Sequence, residues 1–149
     1  MGTRRRNLVR GSTYRQRGAV VIEFALVFIV FFMVMYGAIA YGIVFALQHS
    51  LTHAANEGAR AAVQDVGDIA ARKALAQTTA SNAVVWLGAR APTPTVTSAP
   101  CAATPFVCVN VALAYDYAAN PIIPPLPGLG LFLPALITSQ ATVQLDAVN

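Results

Sequence analysis

The sequence is poor in charged residues. Only 11% of its 149 residues are charged and 56% are hydrophobic, whereas a typical soluble domain is about 25% charged. Its mean hydropathy is +0.58. This composition excludes a disordered acidic chain and argues against a conventional soluble enzyme. Aspartate and glutamate together number only six, which leaves little material for an acid–base active site.

The sequence also lacks the short motifs of common catalytic and cofactor sites. It has no phosphate-cradling glycine loop, no zinc signature and no Ser/His/Asp set in a recognisable context. We therefore expect no catalytic activity, no cofactor, no metal and no small-molecule substrate. His49, His53 and Glu57 have the spacing of one helix face, which is able to hold a divalent metal. We prefer the simpler interpretation, a polar stripe along the helix.

Basic residues are scarce outside the N-terminus. Six of the ten lie within the first 17 residues, where there is no acidic residue: Arg4, Arg5, Arg6, Arg10, Arg15 and Arg17. The other 132 residues carry four basic and six acidic side chains, a formal net charge of −2. The pI of about 9.5 therefore reflects a basic leader. Because the body of the chain is mildly acidic, we do not expect it to bind nucleic acid.

A long uncharged run follows the basic leader. Residues 19–47 contain one charged side chain, Glu23, and residues 24–47 contain none. A helix over residues 24–47 is about 36 Å long, enough to cross a hydrocarbon core of about 30 Å. Arginines precede the run and none follows closely, which predicts a single-pass inner-membrane protein. Its N-terminus would be cytoplasmic, and residues 48–149 would be periplasmic or extracellular.

Two ordinary interpretations of this N-terminus fit incompletely. Residues 38–40 (AIA) match the small-residue pattern of a signal peptidase site, but the apolar run continues through Leu47 without a polar break. A plain membrane anchor explains the arginines and the length of the run. It leaves Glu23 unexplained, because a charge within a spanning segment is costly.

A third interpretation gives Glu23 a chemical role. Cleavage between Gly18 and Ala19 would place Glu23 on the first turns of a new helix and create an α-ammonium group. If such helices pack side by side in staggered register, the ammonium of one subunit meets the carboxylate of its neighbour. Two unit charges about 4 Å apart attract by roughly 4 kcal/mol at an effective dielectric of 20. The pair would therefore enforce register during assembly.

The residues around this site resemble a known family. Residues 17–24 (RGAVVIEF) combine a basic flank, a glycine, four apolar residues, a glutamate and an aromatic residue, which resembles the prepilin peptidase site of type IV pilins and pseudopilins. The wider chain resembles the TadE-like family of the tight-adherence (Flp) pilus system. The resembling segments are RGAVVIEFALVFIVFF, LTHAANEGARAAV, the Tyr115-Asp116-Tyr117 run, PIIPPLPGLG and SQATVQL.

The resemblance implies both a fold and a function. The implied fold is α+β and type IV pilin-like, with a long N-terminal transmembrane helix that continues outside the membrane, a second helix and a small antiparallel β head. The implied function is that of a minor pilin or pseudopilin cut between Gly18 and Ala19 by a prepilin peptidase. Its partners would be other pilins and the assembly platform, with Glu23 in the charge pair and surface attachment as the purpose. The alternative is an unprocessed, membrane-anchored accessory protein whose periplasmic head does not enter a filament.

The residue pattern predicts four segments: a leader (1–18), a transmembrane helix (19–47), an exported helical region (48–87) and a β-rich head with a Pro-rich loop (88–149). Small and apolar residues at helical spacing predict that the first helix continues to about Val66. Asp68 is a good N-cap for a second helix ending near Leu87. Residues 88–100 are typical of a turn and linker, whereas residues 105–117 and 136–145 alternate like strands.

The two cysteines, Cys101 and Cys108, both lie on the predicted exported side, where oxidation is permitted. We expect a disulfide between them, and two free buried thiols are the alternative. Closing so short a loop stabilises a small head by about 2.5 kcal/mol in the chain-entropy treatment.

The sequence alone leaves two alternatives for each of two further features. Asn56, Glu57, Gly58 and Arg60 form either a subunit contact or a solvated helix face with a Glu57–Arg60 ion pair. A glycine within a helix favours the contact, because it is otherwise unfavourable by about 1 kcal/mol. Trp86 is either a membrane-interface residue or an ordinary packing residue.

Overall fold

The computed structural model describes residues 16–64, 67–102, 105–124 and 133–146. Two helices come first, followed by a 3-10 segment and three strands. In chain order these are α1 (Gln16–Ala62), α2 (Ile69–Ala83), the 3-10 segment Val85–Arg90, β1 (Thr95–Pro100), β2 (Val107–Asp116) and β3 (Leu136–Leu145). The architecture is α+β with a pilin-like arrangement of a long apolar helix, a second helix and a small antiparallel sheet. The fold class predicted from the sequence is confirmed.

The chain divides into two compact units, Met1–Ala38 and Ile39–Asn149. In the first unit the structure describes part of α1, and side chains 18–35 are all exposed. An i, i+4 ladder of rings lies along this part, with centroids 6.1–6.4 Å apart, from Phe24 through Phe28 and Phe32 to Tyr36. Such a stretch has backbone hydrogen bonds within the helix and presents mainly apolar atoms to its surroundings.

The second unit, Ile39–Asn149, contains the three-stranded antiparallel sheet in the order β1-β2-β3. Thr95 pairs with Ala112 across β1 and β2, while Val111 pairs with Ala141 across β2 and β3. Alternate residues of β2 point into the core, as the sequence pattern predicts. The buried members are Val109, Val111, Leu113 and Tyr115, followed by Tyr117 just beyond the strand.

One face of α1 completes this core. Leu47 and Leu51 are fully buried, and small residues continue the same face one and two turns further on: Ala55, Ala59 and Ala62. Ala76 and Ala80 of α2 join the same cluster. The helix face predicted from the sequence is therefore confirmed as far as Ala62.

The first helix is shorter than predicted. It ends at Ala62 instead of continuing to Val66, which lies outside the described residues. The amide of Val63 bonds to the carbonyl of Arg60 at 3.2 Å, a tight turn that closes the helix end. Gly67 then adopts φ of 94°, a left-handed conformation that suits glycine.

The second helix begins as predicted and ends early. The Asp68 carboxylate accepts a 2.8 Å hydrogen bond from the amide of Ala71, which makes it the N-cap. The helix ends at Ala83, four residues before the predicted end at Leu87. The chain tightens there into the 3-10 segment, within which Gly88 has φ of 58° and breaks the helical path.

The prediction of a linker over residues 88–100 is wrong for its last part. Thr95–Pro100 forms β1, hydrogen-bonded to β2 as an edge strand. β-Branched residues at positions 95–97 favour a strand, and Pro100 is tolerated because it lies at the end of an edge. The strand predicted over residues 105–117 is confirmed with the narrower bounds Val107–Asp116, and β3 covers 136–145 as predicted.

Candidate functional site

The predicted processing site lies near the start of α1. Gly18, Ala19 and Glu23 all belong to the helix, which begins at Gln16. An added Cβ at Gly18 would meet no atom within 4 Å, and the Glu23 side chain is exposed. Of the leader arginines, Arg17 has its backbone in the first turn of α1. The others lie outside the described residues: Arg4, Arg5, Arg6, Arg10 and Arg15.

The apolar part of α1 surrounds Glu23 with exposed hydrophobic side chains. Ile22 and Phe24, its two neighbours, are 70% and 68% exposed. The helix Gly18–Ala62 is long and apolar enough to cross a membrane, and its most apolar window has a mean hydropathy of 2.7 with none of it buried. An apolar helix near the N-terminus suggests a membrane anchor. The Glu23 carboxylate is then a single charge within a surface that favours lipid or other helices.

The segment Asn56–Arg60 has a buried side and an exposed side. Gly58 is on the buried side, and an added Cβ would lie 3.0 Å from the Ala76 carbonyl oxygen and 3.0 Å from the Ala80 Cβ. It would also lie 3.1 Å from Cγ1 of Val111 on β2. Gly58 therefore lets α1 approach α2 and the sheet closely within one chain, a role that sequence reasoning missed.

The exposed side of this segment carries the ion pair. Arg60 Nη1 lies 3.3 Å from Glu57 Oε1, and the two side chains are 79% and 36% exposed. Asn56 is also exposed. The arrangement leaves Asn56, Glu57 and Arg60 available to solvent or to a partner. The subunit contact proposed from the sequence would use these three side chains and not Gly58.

Sequence reasoning missed three polar residues of α1 that hydrogen-bond to later parts of the chain. Gln48 donates a 3.1 Å hydrogen bond from Nε2 to the carbonyl oxygen of Thr138 on β3. Ser50 accepts a 3.0 Å bond from the indole Nε1 of Trp86. Thr52 accepts a 3.1 Å bond from the hydroxyl of Ser139. The i, i+2, i+4 spacing of polar residues directly after Leu47 was the only sequence signal.

Cys101 and Cys108 form a disulfide, with Cα atoms 5.1 Å apart. It lies at the end of the sheet where β1 finishes and β2 begins, since Cys108 pairs with Ala99. The amide of Cys101 also bonds to the carbonyl of Phe106 at 3.0 Å. The disulfide and this bond together close the β1–β2 connection.

The described residues contain no group of three or more His, Cys, Asp or Glu side chains that could hold a metal ion. His49 and His53 are exposed on α1. An open depression of about 560 Å³ lies along the sheet. Its described lining is Thr93, Thr95, Ala112, Leu113, Ala114, Thr138, Ser139 and Gln140. These side chains offer hydroxyl and amide groups but no ionisable group.

Tyr115 is a buried titratable group at the end of β2. Burial raises the pKa of Tyr115 above its ordinary value of 10.0, while nearby Arg90 lowers it and Tyr117 raises it. The Tyr115 hydroxyl donates a 2.7 Å hydrogen bond to the carbonyl of Asn120. The hydroxyl of Tyr117 is buried and has no hydrogen-bond partner among the described residues. Both tyrosines occupy core positions at the end of β2, so we assign them to the structure of the head.

Comparison with known proteins identifies one part of the chain. No curated protein and no solved structure matches it. The family model described as TadE-like protein matches residues 18–60. The match begins at Gly18 and includes Glu23 and the segment Asn56–Arg60, whereas the resembling segments of the β head lie outside it. The resemblance seen in the sequence is therefore confirmed for residues 18–60, and this similarity to the TadE-like family suggests a protein associated with the Tad (Flp) pilus.

Proposed function

We propose that this chain is a minor pilin or pseudopilin of a tight-adherence pilus, cut by a prepilin peptidase between Gly18 and Ala19. The observation that carries the proposal is the family match over residues 18–60, which starts at the proposed cleavage site. Gly18 and Glu23 are separated by four apolar residues, and the Glu23 side chain is exposed. The N-terminus is cytoplasmic, and the head lies on the other side of the inner membrane.

The apolar helix supports lateral assembly. Large side chains around Glu23 are exposed, so the helix presents an apolar surface that lipid covers before assembly and neighbouring helices cover afterwards. Cleavage supplies an α-ammonium group that neutralises Glu23 of an adjacent subunit. A helix packed without that partner would hold an uncompensated carboxylate, which is unfavourable by several kcal/mol. The chain is thus a structural component and a substrate of the peptidase.

The mature N-terminus tests the processing step. The full chain is expressed in its native host, extracted from membranes and analysed by intact mass and N-terminal sequencing. We expect a chain beginning at Ala19. Gly18→Val should leave the precursor uncut, because a branched side chain replaces the glycine at the cleaved bond. Gly11→Val is the matched control within the leader and should be processed normally.

A wild-type chain that still begins at Met1 would overturn the proposal. That result favours the alternative, an unprocessed membrane-anchored accessory protein. Equal processing of the Gly18→Val and wild-type chains would move the cleavage site elsewhere.

The charge pair is tested by Glu23→Gln, which keeps the shape of the side chain and removes its charge. We expect this variant to be processed and inserted but depleted from sheared pilus fractions when wild-type chain is also present. Asp146→Asn is the control, because Asp146 is an exposed carboxylate at the far end of the chain. Incorporation of Glu23→Gln at the wild-type level would contradict the pairing mechanism.

A further inference from the structure

The head, meaning the part of the second unit that follows α1, has most of its exposed large apolar side chains at one end. Beyond α1, four large apolar side chains are exposed among the described residues: Val63, Val85, Trp86 and Leu136. Three of them, Val85, Trp86 and Leu136, are 68%, 59% and 56% exposed, and we call these three the collar. Val63 stands apart, in the turn after α1.

Hydrogen bonds place the collar beside one short stretch of α1. The indole of Trp86 is bonded to Ser50, and Val85 is its chain neighbour. Leu136 begins β3 two residues before Thr138, whose carbonyl accepts the bond from Gln48. The collar therefore lies at the level of residues 48–50 of α1. Those residues directly follow Leu47, where the apolar run ends.

The opposite end of the sheet has a different character. Pro100, Val107 and Leu145 lie there in register, near the disulfide of Cys101 and Cys108. None of these residues is a large exposed apolar side chain, and Leu145 is 5% exposed. Apart from Val63, the large exposed apolar side chains of the described head therefore lie at one end.

Two apolar side chains of α1 are exposed shortly before the level of the collar. Tyr41 and Phe45 are 41% and 69% exposed on α1. Ala40 and Val44 are buried, at 4% and 8% exposed, so only the outward face of α1 with Tyr41 and Phe45 is open to lipid at this level. If that face is in lipid, the indole bonded to Ser50, about 7.5 Å beyond Phe45 along the helix axis, is at the depth of the lipid headgroups. Tryptophan favours this layer, where its ring meets acyl chains and its N–H finds a polar partner.

We propose that the collar rests in the headgroup layer of the bilayer that α1 spans, so that the head is seated against the membrane before assembly. Ser50 satisfies the indole N–H, and Gln48 holds the start of β3 at the same depth. The proposal rests on α1 being a membrane anchor and requires neither cleavage at Gly18 nor entry into a filament. It gives Trp86 the interfacial role that the sequence alone left open.

Trp86 is the single tryptophan of the chain, so its fluorescence reports the depth of the collar directly. The full chain is reconstituted into phosphatidylcholine and phosphatidylglycerol vesicles, and flotation measures how much of it is membrane-bound. Lipids brominated near the headgroup end or near the methyl end of the acyl chain then act as depth-dependent quenchers. Aqueous iodide reports exposure to water.

A second variant moves the probe to the other end of the head. Trp86→Phe combined with Val63→Trp places the single tryptophan at a position where the native side chain is 53% exposed. We expect Trp86 to be blue-shifted, quenched most by shallow bromines and shielded from iodide. The Val63→Trp probe should emit like a water-exposed indole, be quenched by iodide and be insensitive to bromines.

Several results would overturn the proposal. Protein that floats with vesicles while Trp86 is insensitive to bromine and fully open to iodide has no seated collar. Shielding of Trp86 that follows the protein-to-lipid ratio and not the bromine position indicates that another copy of the chain covers the collar. Protein that does not float contradicts the membrane anchor itself. An uncleaved but membrane-bound chain that shows shallow quenching supports the collar while contradicting the pilin proposal.

Discussion

The two halves of α1 are both helical, but they expose and bury different kinds of side chain. In the first unit, which ends at Ala38, large apolar groups are exposed, including Leu26 at 64% and Phe31 at 62%. In the second unit the helix buries Leu51 completely and presents small residues such as Ala55 to the rest of the head. Large exposed side chains suit contact with lipid or with other helices, whereas small buried ones allow a second helix and a sheet to come close.

This difference between the two halves predicts that the first half serves contacts with other molecules and the second half stabilises the fold. The described side chains of residues 18–35 are exposed, so we expect them to contribute little to the stability of the head and to serve contacts with other molecules. Side chains of the second half lie in the hydrophobic core formed with α2 and the sheet. Substitutions of one chemical type placed in each half should therefore have different consequences.

The largest expected contrast comes from Leu51→Ala and Leu26→Ala. Leu51 is fully buried in the core, and its truncation should lower the free energy of unfolding of the head by about 3 kcal/mol. Leu26 is exposed, so its truncation should change that free energy by less than about 0.5 kcal/mol. Urea unfolding of the full chain in detergent, followed by Trp86 fluorescence, measures both. Equal losses for the two variants would contradict the separation.

A smaller contrast is expected between two helical glycines. Gly58→Val would force atoms into space occupied by Ala76, Ala80 and Val111, and we expect a loss of about 2 kcal/mol in unfolding free energy. Gly42→Val is the matched control, because an added Cβ at Gly42 meets nothing within 4 Å. The same urea titration measures both variants. Unchanged unfolding of Gly58→Val together with lost pilus assembly would instead make Gly58 a subunit contact.

Sequence patterns predicted those features that depend on local periodicity. The alternation in residues 136–145 placed β3 at its observed bounds, and the helical spacing of Leu47, Leu51 and Ala55 identified the buried face of α1. Asp68 was recognised as an N-cap because its carboxylate serves an amide only three residues away. Each of these features is encoded within a few turns or one strand.

Features that depend on tertiary partners were not predictable in the same way. β1 has a Thr- and Pro-rich sequence that is equally typical of a turn, and it becomes a strand because β2 offers it backbone partners. The role of Gly58 depends on α2 and β2, which are distant in sequence. The Trp86–Ser50 bond joins residues 36 positions apart. The roles of Gly18 and Glu23 depend on a peptidase and a neighbouring subunit, so they remain predictions.

The head should also respond to alkaline pH through Tyr115. Burial raises its pKa in the folded state above the ordinary value of 10.0. The folded chain therefore retains a proton that the unfolded chain loses, and stability should be constant below the unfolded pKa and fall as pH rises above it. Tyr115→Phe should weaken this fall and lower stability at neutral pH by about 1 kcal/mol, since the bond to Asn120 is lost. Thermal melts between neutral and alkaline pH measure both effects.

The exposed side of the second half of α1 should contribute least to the free energy of unfolding. The Glu57–Arg60 pair joins a well-exposed arginine to a partly exposed glutamate, so Glu57→Gln should lower the unfolding free energy by only a few tenths of a kcal/mol. The effect should shrink further at high salt, because counterions screen exposed pairs. A double-mutant cycle with Arg60→Gln isolates the coupling between the two side chains. A coupling above about 1 kcal/mol would mean that these side chains help to hold the head together. A small coupling leaves Glu57 and Arg60 free to be replaced without unfolding the head, and any loss of pilus assembly in those variants would then report a contact with another subunit.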